Sequence, residues 1–341
     1  MPHMIPRIEP KLHSSIWQKE LAEAIRDPLD LLARLELADF SSDSDIGGTY
    51  ADHSFPLRVP LSYVSRMEKG NPRDPLLRQV LPDLREQIPA PGFSRNPVGD
   101  LESIKGHGIL HKYHGRVLLM LTGACPIHCR YCFRRHFPYQ EAGLRSNQWQ
   151  TALDTIGTNK NIREVILSGG DPLSMSDDRL AQLAFALEKI PHVDTLRIHT
   201  RMPVALPSRV DSHLIDWLGR LQLNKVVVLH INHANEIDAS LASAINKLKL
   251  TGATLLNQSV LLAGVNDQVS TLEVLSRKLF QFGVLPYYLH QLDRVEGAAH
   301  FGVSHFSAKK IIAELGNRLP GYLVPKLVVE IPGAKSKLSL T

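Results

Sequence analysis

The chain has 341 residues and only three cysteines, Cys125, Cys129 and Cys132. An odd number at so tight a spacing excludes a disulfide framework for a chain of this length. No apolar run is long enough to cross a membrane, and the N-terminus carries Pro, His and charge where a signal peptide would have its apolar stretch. Both features predict a cytoplasmic protein without a membrane partner, and clustered reduced thiols suit that compartment. Repeats of fixed period and low-complexity segments are also missing. What remains is an ordinary globular composition, at a length suited to one large domain with an extension. Net charge is +5. The basic residues are dispersed apart from a His- and Arg-rich stretch at 128–136, so an anionic cofactor or substrate fits better than nucleic acid.

The three thiols fall in the run Cys125-Pro-Ile-His-Cys129-Arg-Tyr-Cys132. Gathered in one loop, they point to a metal or cluster site. A zinc ion would take a fourth ligand, for which His128 or His136 is available, and the protein would then be a zinc-stabilised binding module. A four-iron cube held by three thiolates keeps one iron without a protein ligand, and that iron is open to chemistry.

Along the chain, Ser15-x-x-Gln18 reads as a capping box for a helix carrying Ile16, Leu21 and Ile25. Pro28 interrupts it, and a second helix resumes over Leu29–Leu37. Residues 1–14 lack a periodic pattern, and 40–55 read as a Ser/Asp/Gly loop. Pro-punctuated helical material follows, so 1–105 is predicted as a mainly helical N-terminal region packed on what comes next. From there the pattern changes. Strands are predicted at 116–121, 163–167, 195–199, 225–231, 254–261 and 285–291, with a last one at 326–331. Between them lie amphipathic helices. Ser176 caps the Leu180, Leu183, Leu187, Ile190 stripe. A second stripe runs Ile237, Leu241, Ile245, Leu248 to Gly252. Ser270-x-x-Glu273 boxes a third, with Leu272, Leu275 and Leu279. Repeated βα units build parallel sheets. The expected fold is α/β, a partial (β/α)6 TIM-like barrel over 106–334 with a helical N-terminal region, a short C-terminal strand and a tail at 335–341.

In such a barrel the site lies where the strands end, and the cysteine loop follows the first of these strands. Ser168-Gly169-Gly170-Asp171 follows the second. Its glycines let a ligand approach the backbone, or they simply make a βα turn. Polar groups end the next strands: His199 and Arg201, His230 and His233, then Asn257 and Gln258 within the fifth, and His290 and Asp293. Each alone reads as a satisfied core group, but together they line a cavity. Glu330-Ile-Pro-Gly-Ala-Lys335-Ser-Lys337 closes the chain. Its lysines are either a solvated tail or a source of an amine for a carbonyl or pyridoxal phosphate (PLP).

The CxxxCxxC spacing, with the strand Val117–Leu121 leading into it, resembles the radical S-adenosylmethionine (SAM) enzymes. Several longer segments narrow the resemblance to the lysine 2,3-aminomutase family, over about residues 60–337: Ser65–Arg78, Leu110-His-Lys-Tyr-His, Cys129–Tyr139, Ser168–Leu173, His230–Glu236, Leu256–Leu262, Pro286–His290 and Gly321–Leu327. Within that family the chain is most similar to the bacterial branch that makes (R)-β-lysine for elongation factor P. The resemblance implies a radical SAM core and an isomerase that moves the α-amino group of L-lysine to C3. It implies a [4Fe–4S] cluster on Cys125, Cys129 and Cys132, with SAM on the open iron and held in part by Ser168, Gly169, Gly170 and Asp171. Lys337 matches the PLP-linked lysine, with Lys335 as the fallback. Lys112, Tyr113 and Arg116 match residues near the PLP phosphate. Arg134 matches the partner of the substrate α-carboxylate. Asp293 and Glu330 match the acids that receive the ε-ammonium, Glu330 standing where the free-lysine enzymes carry Asp. It further implies a functional link to elongation factor P and its lysine ligase, and a flavodoxin-like electron donor.

Overall fold

The computed structural model describes residues 15–38, 55–106, 108–144 and 148–340. The expectations for 1–14 and for 40–54 of the predicted loop lie outside the described residues.

Nine strands form one sheet in strict sequence order. They are β1 (Ile109–Tyr113), β2 (Arg116–Met120), β3 (Glu164–Ser168), β4 (Thr195–Thr200), β5 (Asn224–His230), β6 (Thr254–Val260), β7 (Leu285–His290), β8 (Lys326–Val329) and β9 (Leu338–Ser339). The run from β2 to β8 is parallel throughout. These seven strands are the seven read from the sequence, each within two residues at either end. Strictly sequential parallel order is what right-handed βα crossovers of uniform hand produce, and it curves the sheet into a partial TIM-like barrel.

The two antiparallel strands at the edges were not foreseen. β1 pairs with β2 through a shift between Leu110 and Tyr113. Its sequence, Ile-Leu-His-Lys-Tyr, is half polar and offers no clean alternation. β9 pairs with β8. It is two residues long inside a basic tail, too short for any periodicity to register.

The helices mostly begin where the capping chemistry predicts. Gln18 accepts the Ser15 N–H at 3.0 Å, and Ser176 precedes the helix Asp177–Glu188, whose Leu180, Leu183 and Leu187 are buried. The helix Ala239–Leu250 is capped by Asp238, which accepts the Leu241 N–H at 2.9 Å, so Ile237 lies just before it. One box is corrected. The helix Val269–Gln281 begins with Gln268 at its cap. Ser270 is therefore already inside the first turn, and Glu273 pairs with Arg277 at 3.0 Å on the helix surface.

The N-terminal region consists of short helices, Ile16–Ala22, Pro28–Arg34 and Leu61–Val64, linked by turns. One apolar core runs continuously from Trp17 through the barrel to Val284. The region is also hydrogen-bonded across the loops that follow β4 and β5. Ser62 Oγ donates to the Ala205 carbonyl at 2.8 Å, and Arg66 Nη1 donates to the carbonyls of Val204 and Glu236 at 2.7 and 2.8 Å. It thus covers the barrel end where the cysteine loop lies.

Candidate active site

A cavity of about 470 Å³ opens at the C-terminal ends of the strands. The cysteine loop supplies its floor. This loop leaves β2 and is held by backbone bonds to the N-terminal region, His128 N–H to the Arg58 carbonyl at 2.9 Å and Arg130 N–H to the Gln79 carbonyl at 2.9 Å. Beneath it Glu86 takes Arg130 Nε at 2.7 Å and Arg135 Nη2 at 2.7 Å. Both guanidiniums also lie over the Phe55 ring, at 4.9 and 4.7 Å. Two buried cations on one carboxylate lock the turn Cys129–Arg135 from behind.

All three cysteines line the cavity. Burial, and then the neighbouring thiolates, push the Cys125 thiol up well above its ordinary range and Cys132 up to about 11. Thiols so placed gain strongly from a cationic partner that takes them as thiolates. Among the described residues, no three His, Cys, Asp or Glu side chains converge on a single-ion ligand sphere. A cube takes its thiolates on separate irons and leaves one iron open, which three thiols lining one cavity can provide for. The histidines that zinc would have needed are engaged elsewhere. His128 Nδ1 is 2.7 Å from the Pro56 carbonyl and its ring stacks on Phe55, while His136 Nε2 is 3.3 Å from the Glu296 carbonyl.

The Gly-Gly turn after β3 fits against this loop. A methyl on Gly169 would overlap the Thr122 carbonyl oxygen, and one on Gly170 the Ala124 carbonyl oxygen. Gly169 also has φ +134°, a region that L-residues avoid. Asp171 is turned inward. Its carboxylate accepts Thr200 Oγ1 at 2.7 Å and the N–H groups of Leu173, Arg201 and Met202 at 3.0, 2.7 and 2.8 Å. Burial lifts it to about 6 in spite of these bonds. Ser168 Oγ receives Arg134 Nη1 at 3.1 Å. Both glycines, Ser168 and Asp171 lie on the cavity wall.

The opposite wall carries charge in alternation. Lys112 of β1 bridges Asp100 at 2.5 Å and Glu330 at 2.8 Å, and donates to the Val98 carbonyl at 2.8 Å. Arg134 Nε reaches Asp100 at 2.7 Å. Lys337 Nζ sits directly on the second oxygen of Glu330. Burial alone would raise Glu330, but Lys337 and Lys112 outweigh it and hold the carboxyl down at about 2. Asp293 behaves oppositely. Burial and then the Glu330 charge lift it to about 7, against the pull of Lys337. Arg116 lies 4.9 Å over the Tyr113 ring. Burial and then Glu330 push the Tyr113 hydroxyl up. Lys337 faces the cavity, whereas Lys335 is exposed outside it.

Every site residue that the family resemblance implied, except Lys335, therefore lines one cavity; of the polar strand-end groups, His233 and Asn257 do not, because His233 caps the turn Ala234–Glu236 and Asn257 is bonded to the Ile231 backbone. Sequence reasoning missed Asp100, in a turn that shows no motif, although it pairs with both Lys112 and Arg134. It also missed a buried network around Arg201. Three neutral histidines complete the lining: His199, His230 and His290, each pushed down by burial, His230 to about 3. An anion-binding guanidinium, paired carboxyls beside an amine, and a thiol floor can together hold an amino acid with a cationic end against two cofactors.

Comparison with known proteins agrees. Residues 104–196 match the family model described as a 4Fe-4S single cluster domain. The chain is similar to the L-lysine 2,3-aminomutase of Escherichia coli, 49% identical over 95% of this chain and 94% of that one. It is 48% identical to the enzyme of the same name from Haemophilus influenzae, over 94% of each chain. Against that from Clostridium subterminale it is 37% identical, over 94% of this chain and 76% of that one. The chain belongs to the lysine 2,3-aminomutase family, radical SAM isomerases with an iron–sulfur cluster.

Proposed function

We propose that the chain converts free L-α-lysine to (R)-β-lysine, and that the product is joined to elongation factor P by a separate ligase. The observation that carries this reading is the charge layout of the cavity. Arg134 begins a chain of alternating charges that runs through Asp100 and Lys112 to Glu330 and Lys337, with Asp293 beside that far end. An α-carboxylate and an ε-ammonium at the two ends of one substrate match that layout. Among amino acids, lysine has a chain whose cationic end suits two acids.

In this reading Cys125, Cys129 and Cys132 hold the [4Fe–4S] cluster, and Ser168–Asp171 form the wall against which SAM lies. Lys337 carries PLP, with Lys112, Tyr113 and Arg116 toward the phosphate. When bound, the cofactors supply the hydrogen-atom and group-transfer chemistry. The chain's own part is position and charge. Arg134 is held by Asp100 at 2.7 Å, so its planar fork is fixed before a carboxylate arrives. Lys337 neutralises Glu330 until its amine is engaged elsewhere, which releases that carboxylate for the substrate cation. Asp293 gives up its proton when the ε-ammonium arrives and then pairs with it. The N-terminal region over the strand ends excludes water, which strengthens each of these pairs. A flavodoxin-like protein supplies the electron.

The test is anaerobic turnover of protein reconstituted with iron, sulfide and PLP, given SAM, dithionite and L-lysine. β-Lysine among the separated products supports the reading. Cleavage of SAM to 5′-deoxyadenosine without β-lysine moves the substrate to another amino acid or to lysylated elongation factor P. Neither product from fully loaded protein refutes it.

A further inference from the structure

We propose that Arg201 is a positioning residue for the iron–sulfur cluster, which docks a guanidinium on the Cys129 sulfur and so raises the reduction potential of the cluster. The inference rests on reading the cysteine loop as the cluster site. Arg201 directly follows β4 and is buried. Its Nη1 lies 2.6 Å from Cys129 Sγ and 2.5 Å from the Tyr131 hydroxyl. Nη2 lies 2.7 Å from Gln79 Oε1, 3.0 Å from Glu236 Oε2 and 3.0 Å from the Tyr63 hydroxyl. Its backbone N–H is fixed to Asp171 at 2.7 Å. The partners come from the N-terminal region, the cysteine loop and the turn after β5, so the fork cannot swing away from the sulfur without breaking bonds in all three.

The polarity of this arrangement is specific. Glu236 is itself fully buried and fixed by the N–H groups of Asn232 and His233, at 2.8 and 3.0 Å. It meets the guanidinium at Nη2, away from the thiol. The Arg201–Glu236 pair is neutral overall, which makes its burial tolerable, and its positive end faces Cys129. The Cys132 sulfur, by contrast, receives a neutral backbone N–H, from Arg134. Arg58 acts on Cys125, and Arg134 and Arg135 on Cys132, through space, whereas Arg201 places its guanidinium in direct contact with the Cys129 sulfur. Hydrogen bonds and positive charge on a cluster sulfur withdraw electron density from its iron and favour the reduced state. A purely structural role would need none of this. An apolar side chain of the same volume would fill the space without burying a cation, at comparable stability.

The experiment is a redox titration followed by electron paramagnetic resonance, on reconstituted protein without SAM or lysine, so that turnover plays no part. A mediator passes one electron to the oxidised [4Fe–4S]2+ cluster, which becomes [4Fe–4S]1+. Arg201→Met should make reduction about tenfold less favourable, a shift of 59 mV to lower potential for one electron. Arg201→Lys, which keeps the charge, should recover part of that shift. Glu236→Gln removes the counter-charge and should move the potential upward. If Arg201→Met does not retain a cluster, the opposite shifts of the other two variants decide the matter. Equal potentials in all loaded proteins, or shifts of one sign in both Arg201→Lys and Glu236→Gln, overturn the proposal. A wild-type protein that binds no cluster would instead refute the reading of the cysteine loop.

Discussion

Asp293 and Glu330 are both carboxyls buried in one cavity, yet they sit on opposite sides of their ordinary range. Glu330 is held at about 2 by two lysines, and Asp293 is lifted to about 7 by burial and by Glu330. The linkage signs follow. Glu330 stabilises the fold above its unfolded value and loses that contribution as pH falls through about 2. Asp293 favours the fold while protonated, and that contribution is lost as pH rises toward about 7. If Asp293 must ionise to take the ε-ammonium, lysine affinity should fall up to tenfold per unit below pH 7 and level off above it. Calorimetric titration of PLP-loaded protein across pH 5.5–8.5, in buffers of different ionisation heat, checks this by the proton released. Asp293→Asn should bind weakly with a flat profile. At Lys337 the expectation is qualitative. Lys337→Ala should keep iron and sulfide but lose the PLP absorbance, and Lys335→Ala should keep both. Absorbance retained in Lys337→Ala would move the cofactor to Lys335. These residues were legible because each sits in a recognisable segment at a strand end. Asp100 was not, because its importance comes from Lys112 and Arg134 folding onto it from distant positions, and a single sequence carries no sign of that.

The turn after β3 shows how an element can be read correctly for only part of its reason. Two glycines before an aspartate suggested close approach of a ligand. In the structure they also allow close approach of the chain to itself, because each would drive a methyl into a carbonyl of the segment entering the cysteine loop. Gly170→Ala should therefore displace that segment. The expected result is protein with unchanged far-ultraviolet circular dichroism that holds less than half the wild-type iron per chain. Full iron content would show that the turn can yield. Strand positions were legible for a related physical reason. A parallel strand buried on both faces is a short apolar run between capping residues, and β3 and β5 have that form, while β4, Thr-Leu-Arg-Ile-His-Thr, shows instead a strict apolar–polar alternation. β1 escaped because its half-polar sequence shows no clean alternation, and β9 because two residues are too few to display a period. The Ser270 box failed by a single step. Both Gln268 and Ser270 can precede an apolar turn, and the backbone chose the earlier.

At the scale of the whole molecule, the N-terminal region and barrel share one apolar core, although the change in sequence character near residue 105 invited a division. The buried carboxylate of Glu86 fastens them, because it lies in the N-terminal region and takes both Arg130 and Arg135 of the cysteine loop. Glu86→Gln leaves the buried Arg130 guanidinium without the carboxylate that it grips through two nitrogens and should cost about 3–5 kcal/mol, read as a lower midpoint in urea. The wild-type protein should unfold in a single calorimetric transition, with the van't Hoff and calorimetric enthalpies equal. Two resolved transitions would restore the division.

β9 bears on how the protein is made. Lys337 immediately precedes this strand, and the ladder to β8 holds it over the cavity. A ribosome releases the cysteine loop, the Gly-Gly turn and most of the barrel long before that lysine leaves the exit tunnel. On the proposed roles, the half of the site that would hold the cluster can therefore assemble on the nascent chain well before the half that would hold PLP. A cut just before Lys337 would reverse only the last step. If Lys337 carries PLP as proposed, the cut would leave a folded, iron-loaded protein unable to hold its second cofactor, and that species should stay invisible to any assay of folding or colour from the cluster alone.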